Sequence, residues 1–514
     1  MKKTALISVF DKKGIVDFAK GLTRLGWEII ATGGIYKTLK SAKLQVTTIE
    51  KVTGSPEILN GRVKTISYQI AAGILFNRGS RKHQNQVKKL NLPTIDMVVC
   101  NLYPFEKTIS RRHRLNEAIE MIDVGGVTLL RAAAKNFKYV TTICDPKDYK
   151  LVFDELKNHI EVEEETKARL ASKTFGYVVR YDDTISRYFA KRFGDSTKLR
   201  YGENPHQKGW FHKENTTDPL AIQKFKQLQG KELSFNNYLD ISSVIDTLSE
   251  MGTKNPACVI VKHGSPSGGA VSPNIRKAYE NAWYGGDTLA SFGGIIGINR
   301  EVNVGLATQM TKNKKFFEVL VAANVSKEAQ RILEKRKKLT VLLNKALEKP
   351  RINRGSDFKS VRGGVIEQDF DSKQITVKDL KVVSKKKPNK KQIEDLLFAW
   401  KMVKVSKSNA ITIVKNQTLI SSGVGQQDRK EACRISVFKA TDSARGKNNN
   451  STPVGAVAAT DAFFPFPDGP EILIKAGIKA ISQPGGSIRD QETIDLCNKH
   501  GVTMVFTGIR AFKH

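Results

Sequence analysis

Short apolar runs that stop at glycine and reopen with helical spacing organise residues 1–196. TALISVF (4–10) reads as a strand, and Ile15, Phe18, Ala19, Leu22 and Leu25 then recur at helical intervals. WEIIA (27–31) is a second strand, which Thr32-Gly33-Gly34 breaks before the helical IYKTLKSA (35–42). Further on, IDMVVCNLYPF (95–105) ends a strand at Tyr103-Pro104, and IDVGGVTLLRAAAKN (122–136) is a Gly-Gly turn feeding a helix. Strand, glycine turn and helix in repetition predict a mostly parallel, doubly wound α/β sheet, a fold that takes its ligands at the carboxyl ends of the strands.

The polar FGDSTK (193–198) leads into LRYGENPHQKGWF (199–211) and marks a junction, dividing the chain into domains 1–196 and 197–514. The second domain again reads as α/β, with an internal duplication whose halves are 197–370 and 390–514. In one half NPACVIV (255–261) runs into a Gly-rich turn and the helical NIRKAYENA (274–282). In the other, SNAITIV (408–414) leads through a hairpin-like link to GVGQQDRKEA (423–432) and a helix. The stretches 371–391 and RGKNNNSTPVG (445–455) read as loops or linkers.

At 514 residues the chain exceeds one ordinary core, and 40% hydrophobic residues suffice for globular packing. No apolar run approaches the ~20 residues that span a bilayer. In the opening MKKTALISVFDKKG, Asp11 interrupts the apolar segment and no small-residue cleavage site follows, so a cytoplasmic location without membrane contact is expected. The five cysteines lie far apart without a CxxC, and no HxxxH or HExxH occurs, which points to reduced thiols and no metal site. Lys and Arg number 85 against 51 Asp and Glu, a net charge of +34 that favours anionic partners. Nucleic acid is one such partner. The basic residues are nevertheless spread along the chain, and the densest runs, EKRKK (334–338) and KKKPNKK (385–391), lack the interleaved aromatics of a base-stacking surface. A solvated lysine-rich surface therefore outranks a nucleic-acid function, and small phosphorylated substrates benefit from the same field.

Two glycine turns suit phosphate, because the first N–H groups of a helix are unpaired and carry the positive end of its dipole. These are Thr32-Gly33-Gly34 and Gly125-Gly126, although either pair could be only a turn. In the second domain VIVKHGSPSGG (259–269) sets Lys262 and His263 at the end of an apolar run. Alternating strand side chains face opposite ways, so the two share a site only where the backbone turns, and the Gly-Ser-Pro-Ser-Gly-Gly that follows is expected to supply that turn. The histidine could accept a proton near neutral pH while the lysine holds developing charge; the alternative is the start of a solvated loop. In ATDAFFPFPDG (459–469) the phenylalanines beside Asp461 read either as the wall for a flat aromatic ligand or as core.

Across its whole length the chain resembles the bifunctional purine-biosynthesis family that joins an aminoimidazole carboxamide ribonucleotide (AICAR) transformylase to an inosine monophosphate (IMP) cyclohydrolase. The motifs are SVFDKKG, ATGG, GRVKT, CNLYPF, IDVGG and RAAAKN in the first domain. The second has LRYGENPHQ, LQGKELSFNN, VKH, SFGGIIGINRE, SVRGG, DLLFAW, KSNAI, GVGQQ, DAFFPFPDG, QPGGSIRD and FTGIR. The resemblance implies a methylglyoxal-synthase-like first domain and duplicated, zinc-free cytidine-deaminase-like units in the second. It implies formyl transfer from 10-formyltetrahydrofolate to AICAR, then dehydrative closure to IMP, by a homodimer. By the same resemblance, His263 moves the proton with Lys262 as electrostatic partner, and Asn409 positions the transferring groups. Arg200, Tyr201 and Arg510 hold the nucleotide, Asp461 and Phe463 lie near the folate, and Glu318 matches an acidic position. For ring closure Lys64, Tyr103, Asp123 and Lys135 match the catalytic set. Arg62, Thr65, Asn101, Gly125 and Gly126 lie beside them, and Ser8, Lys12, Thr32, Gly33 and Gly34 surround the phosphate.

The departures cluster in the first domain. Where the family reads HPxxHxG after GRVKT, this chain reads SYQIAAG (67–73), without either histidine; Phe10 replaces a serine and Ile35 a small hydroxyl residue. Two working sites are the expectation. A transformylase with a decayed cyclohydrolase site is the enzymatic alternative, and a basic nucleic-acid-binding protein on the same scaffold is the other.

Overall fold

Runs of β-branched and small apolar residues form five strands in the first part of the chain: β1 (Thr4–Val9), β2 (Glu28–Ala31), β3 (Thr47–Thr48), β4 (Met97–Asn101) and β5 (Thr141–Ile143). The structure is a computed structural model that describes residues 2–194, 196–313, 315–442 and 452–514. The strands lie in the order β3-β2-β1-β4-β5, and every pairing is parallel. Along β1, Ala5 and Ile7 join one buried cluster with Phe18 and Leu22, while Leu6 joins another with Ile70 and Leu129. Both faces of the sheet are thus covered by helices, which is why its strands are continuously apolar. The expected strand TALISVF stops at Val9, and the one expected to reach Tyr103-Pro104 stops at Asn101.

The chain divides into two compact units, Met1–Asp195 and Ser196–His514. The second opens with a ribbon of β6 (Ser196–Lys198) and β7 (Trp210–His212). Its body is a mixed sheet built of β8 (Lys226–Gln229), β9 (Ala257–Lys262), β10 (Ser265–Val271), β11 (Ile295–Val302), β12 (Val319–Val325) and β13 (Thr340–Leu343). An exposed hairpin follows, β14 (Ser356–Val361) with β15 (Gly364–Asp369). The sheet then takes β16 (Lys381–Val382), β17 (Ile411–Lys415), β18 (Thr418–Gly423), β19 (Val457–Thr460), β20 (Ala480–Gln483) and β21 (Thr503–Phe506).

The order in this 12-stranded sheet is β16-β21-β20-β19-β17-β18-β10-β9-β11-β12-β13-β8. Read outward from the central β10–β18 pair, both halves run hairpin, three parallel strands, antiparallel edge strand. The internal repetition is therefore one of topology.

Two readings of the sequence change. Gly264 to Gly269 is not a Gly-rich turn: only His263 and Gly264 turn, both with left-handed backbone (φ 52° and 77°), and Ser265–Val271 is the buried strand β10. Close packing explains the glycines, since a Cβ on Gly268 would collide with the carbonyl of Ala282 in the helix Ile275–Gly285. The stretch 371–391 is not wholly linker, because β16 pairs with β21 as an edge strand and the helix Lys390–Lys404 begins inside it. Of the Asn-rich segment 445–455, residues 445–451 lie outside the described residues.

Candidate active sites in the two units

In the first unit the glycine turns sit at strand ends as the pattern demands. Thr32 has extended backbone, and the helix Gly33–Ser41 begins at once; the Thr32 hydroxyl lies 3.4 Å from Ser8 Oγ instead of capping the helix. Nothing stands within 4 Å of where a Gly34 Cβ would be, whereas the Glu57 carboxylate lies 3.3 Å from where a Gly33 Cβ would be. Lys12 Nζ reaches Thr38 Oγ1 at 3.1 Å and Gly34 O at 3.5 Å, which adds a cation to that end. Ser8, Lys12, Thr32, Gly33 and Gly34 thus gather at one helix start.

The second turn is built around Asp123. Its Oδ1 accepts from Gly126 N at 2.6 Å, and its own N–H donates to Tyr181 Oη at 2.8 Å. A Cβ on Gly126 would press on the Asp123 carboxylate and Leu102, and one on Gly125 would press on Thr65 Oγ1, so both glycines are sterically required. Lys64 Nζ stands 3.4 Å from Tyr103 Oη and acts electrostatically on Asp123. Burial pushes the Asp123 carboxyl up, against the N–H groups of Gly126 and Tyr103 and the Lys64 charge, all of which pull it down. Lysine, phenol and a perturbed carboxyl therefore converge.

Three expected residues sit otherwise. Asn101 ties the loop after β1, accepting from Phe10 N at 2.6 Å and Asp11 N at 2.9 Å and donating to Asp11 O at 3.0 Å. Arg62 pairs with Glu120. Lys135 ends the helix that starts at Gly125, and at 1.5 Å per residue its Cα lies about 15 Å from the glycine turn.

In the second unit Lys262, His263 and Gly264 make the sharp end of the β9–β10 hairpin. Lys262 Nζ donates to Phe292 O at 2.8 Å, in the SFGG segment. His263 is exposed and lines a cavity of about 1240 Å³ with Asp240, Lys407 and Arg510. Asp240 Oδ1 accepts from Gly264 N at 2.7 Å, and Lys407 N donates to Ser265 Oγ at 3.2 Å, so both residues fix the turn. Deeper in the same cavity burial raises the Asp246 carboxyl and lowers the Lys513 ammonium. Glu318 Oε2 accepts from Asn237 Nδ2 at 3.3 Å. The Arg200 guanidinium lies 5.5 Å from the Tyr201 ring, and neither lines the cavity.

Asp461 is not on an open wall. It is fully buried and ion-paired with Arg429, whose guanidinium also donates to Thr460 Oγ1 and Asn409 Oδ1, each at 2.6 Å. The Asn409 amide is further held by the carbonyls of Gln426 at 3.0 Å and Gln427 at 3.1 Å. Of the phenylalanines, Phe464 is core, whereas Phe463 and Phe466 are exposed, the latter under the Arg489 guanidinium. Asp240, Lys407 and Arg429 escaped the sequence reading. Asp240 lies at helical spacing like any solvated carboxylate, and nothing in DRKEA marks its arginine as buried.

The model of the AICARFT/IMPCHase bienzyme family matches residues 133–439, and that of the MGS-like domain matches 14–128. The chain belongs to the AICARFT/IMPCHase bienzyme family. It is similar over the full length of both chains to the bifunctional purine biosynthesis protein PurH of Acetivibrio thermocellus, at 45% identity over 529 residues. The same holds for the PurH proteins of Caldicellulosiruptor saccharolyticus, 45% over 532 residues, and Bacillus cereus, 42% over 527. Against the bienzyme pattern, the departures have structural substitutes. Ser67 Oγ accepts from Ile70 N at 3.2 Å and caps the helix Tyr68–Leu75, Ile35 is buried, and Phe10 packs edge-on against Tyr103 at 5.6 Å between centroids. Among the described residues no group of three or more His, Cys, Asp or Glu is placed to hold a metal ion. Nor is any described helix long and apolar enough to cross a membrane.

Proposed function

We propose that the second unit transfers the formyl group of 10-formyltetrahydrofolate to the 5-amino group of AICAR and that the first unit closes the product to IMP. The observation that carries the transformylase is the convergence of His263, Asp240, Lys407 and Arg510, far apart in sequence, on one cavity of about 1240 Å³. A nucleotide needs only part of such a volume, which leaves room for a folate beside it. The amine nitrogen attacks the formyl carbon, and its lone pair is a poor nucleophile until a base takes the N–H proton. His263 is that base. The bond from the formyl carbon to the folate nitrogen breaks, and that nitrogen leaves protonated. Arg510 meets the phosphate, and Lys262 steadies charge at the turn. Asn409, held by Arg429, which Asp461 in turn pairs, orients the reacting groups rather than exchanging protons. Phe463 and Phe466 are exposed apolar surface for the folate ring system.

For ring closure the carboxamide nitrogen attacks the formyl carbon and water departs. Lys64 and Tyr103 offer donors to the formyl oxygen, Asp123 accepts the proton, and the helix start at Gly33 and Gly34, with Lys12 beside it, takes the phosphate. The reading carries a cytoplasmic homodimer with it.

Incubating the protein with formyl-AICAR and no folate tests the first unit. IMP is expected well above the spontaneous rate. Only the spontaneous rate would favour the second reading, a lapsed cyclohydrolase, which the loss of both HPxxHxG histidines motivates.

A further inference from the structure

The two halves of the large sheet repeat more than strand order; they repeat the construction of one turn. In the first half β9 ends at Lys262, His263 and Gly264 turn with φ of 52° and 77°, and β10 begins at Ser265. In the second half β17 ends at Lys415, Asn416 and Gln417 turn with φ of 55° and 50°, and β18 begins at Thr418. Each terminal lysine donates to a carbonyl three residues before the neighbouring antiparallel strand, β11 or β19: Lys262 to Phe292 O, and Lys415 to Val454 O, both at 2.8 Å. Each turn is tied down by an aspartate in the second turn of a helix that starts with a capping box. Asp240 lies in Phe235–Met251, and Asp395 holds the same place in Lys390–Lys404.

The two aspartates then differ. Asp395 is buried and spends both oxygens on its turn, accepting from Gln417 N at 2.6 Å and Asn416 N at 3.0 Å. Asp240 accepts from Gly264 N at 2.7 Å and also meets the backbone N–H of His263, but it remains half-buried on the cavity wall, where His263 and Lys407 pull its carboxyl down against the larger lift of burial. We propose that Asp240 is a positioning residue for formyl transfer: it binds the His263 turn to its helix and holds a carboxylate on the wall of the cavity that the imidazole lines. Asp395 does only the first, because its turn carries no ionisable side chain.

The inference rests on the transformylase reading, so the unsubstituted protein is assayed first; absence of formyl transfer there overturns that reading and this inference with it. With transfer present, Asp240→Asn is compared with Asp395→Asn. Both lose one charge under an equivalent turn, and the second serves as the structural match. Asp240→Asn is expected to lower kcat for formyl transfer about tenfold to a hundredfold, with KM for both substrates little changed. Asp395→Asn is expected to shift Tm by a similar amount and to leave kcat within about twofold, since its turn is remote from the imidazole. Unchanged kcat in Asp240→Asn overturns the inference, and so does an equal loss in both variants, which would make the brace merely structural. Should Asp240→Asn fail to fold, Asp240→Glu moves the charge by one methylene. A clear fall in its kcat supports the inference, and an unchanged kcat overturns it.

Discussion

His263 shows how much one side chain depends on backbone it does not choose. A non-glycine residue at φ 52° is uncommon, and it stands there because a two-residue antiparallel turn needs left-handed backbone at both positions. Gly264 takes the second position without strain, and the imidazole is left at the tip, clear of both strand faces. Replacing it by alanine removes the proposed base and leaves the turn. His263→Ala is therefore expected to slow formyl transfer by about 10²–10⁴-fold. Ring closure, whose residues lie in the other compact unit, is expected to stay at the wild-type rate. Assaying both half-reactions on one preparation checks this, and parallel loss of the two would contradict separate sites. At this scale the sequence singles out Lys262, His263, Lys64, Tyr103 and Asp123, whose types announce a chemistry. It was a poor guide to Asp240 and Arg429, whose roles come from partners 24 and 32 residues away.

At the scale of elements, the apolar periods found β1, β2, β4 and three helices of the first unit to within a few residues, because a parallel sheet covered on both faces leaves a plain pattern, but they left β3, β5 and the helices Tyr149–Asn158 and Glu164–Phe193 unnamed. The same reading failed at Ser265–Val271. Serine, proline and three small residues look like a loop, yet they form a central strand, because helix Ile275–Gly285 lies so close that side chains are excluded. Pro266 is accommodated where the β9–β10 register shifts. That explanation can be measured. Gly268→Ala is expected to destabilise the protein by about 1–3 kcal/mol, since the new methyl meets the Ala282 carbonyl. Gly364→Ala, in the exposed β14–β15 hairpin with nothing within 4 Å, is expected to change stability by less than about 0.5 kcal/mol. Urea unfolding followed by a probe in the second unit separates the two, and equal effects would return Gly268 to the status of an ordinary loop glycine.

For the molecule as a whole the charge is the open quantity. A surplus of 34 positive charges suits a nucleic-acid binder, but it suits an enzyme of phosphorylated intermediates equally well. Placement bears on the choice. The run at 334–338 follows the helix Lys327–Leu333, with Arg336 turned inward to the carbonyls of Lys315 and Thr311, and the run at 385–391 leads into the capped start of Lys390–Lys404. Neither forms a groove with stacked aromatics. The cations at the proposed sites are Lys12, at a helix start, and Lys64, acting on Asp123, in one unit, and Lys407 and Arg510, lining one cavity, in the other. The surrounding field should then act on substrate capture and not on chemistry. Raising ionic strength from about 0.02 M to about 0.3 M, where screening cuts in below 10 Å, is expected to lower kcat/KM several-fold for both reactions while kcat holds. Single-stranded RNA is expected to compete only at the low-salt end, because binding carried by counterion release collapses over that range. RNA that still inhibits at the high-salt end, or kcat that falls in step with kcat/KM, would mean that the basic surface has a specific polyanion partner rather than a steering role.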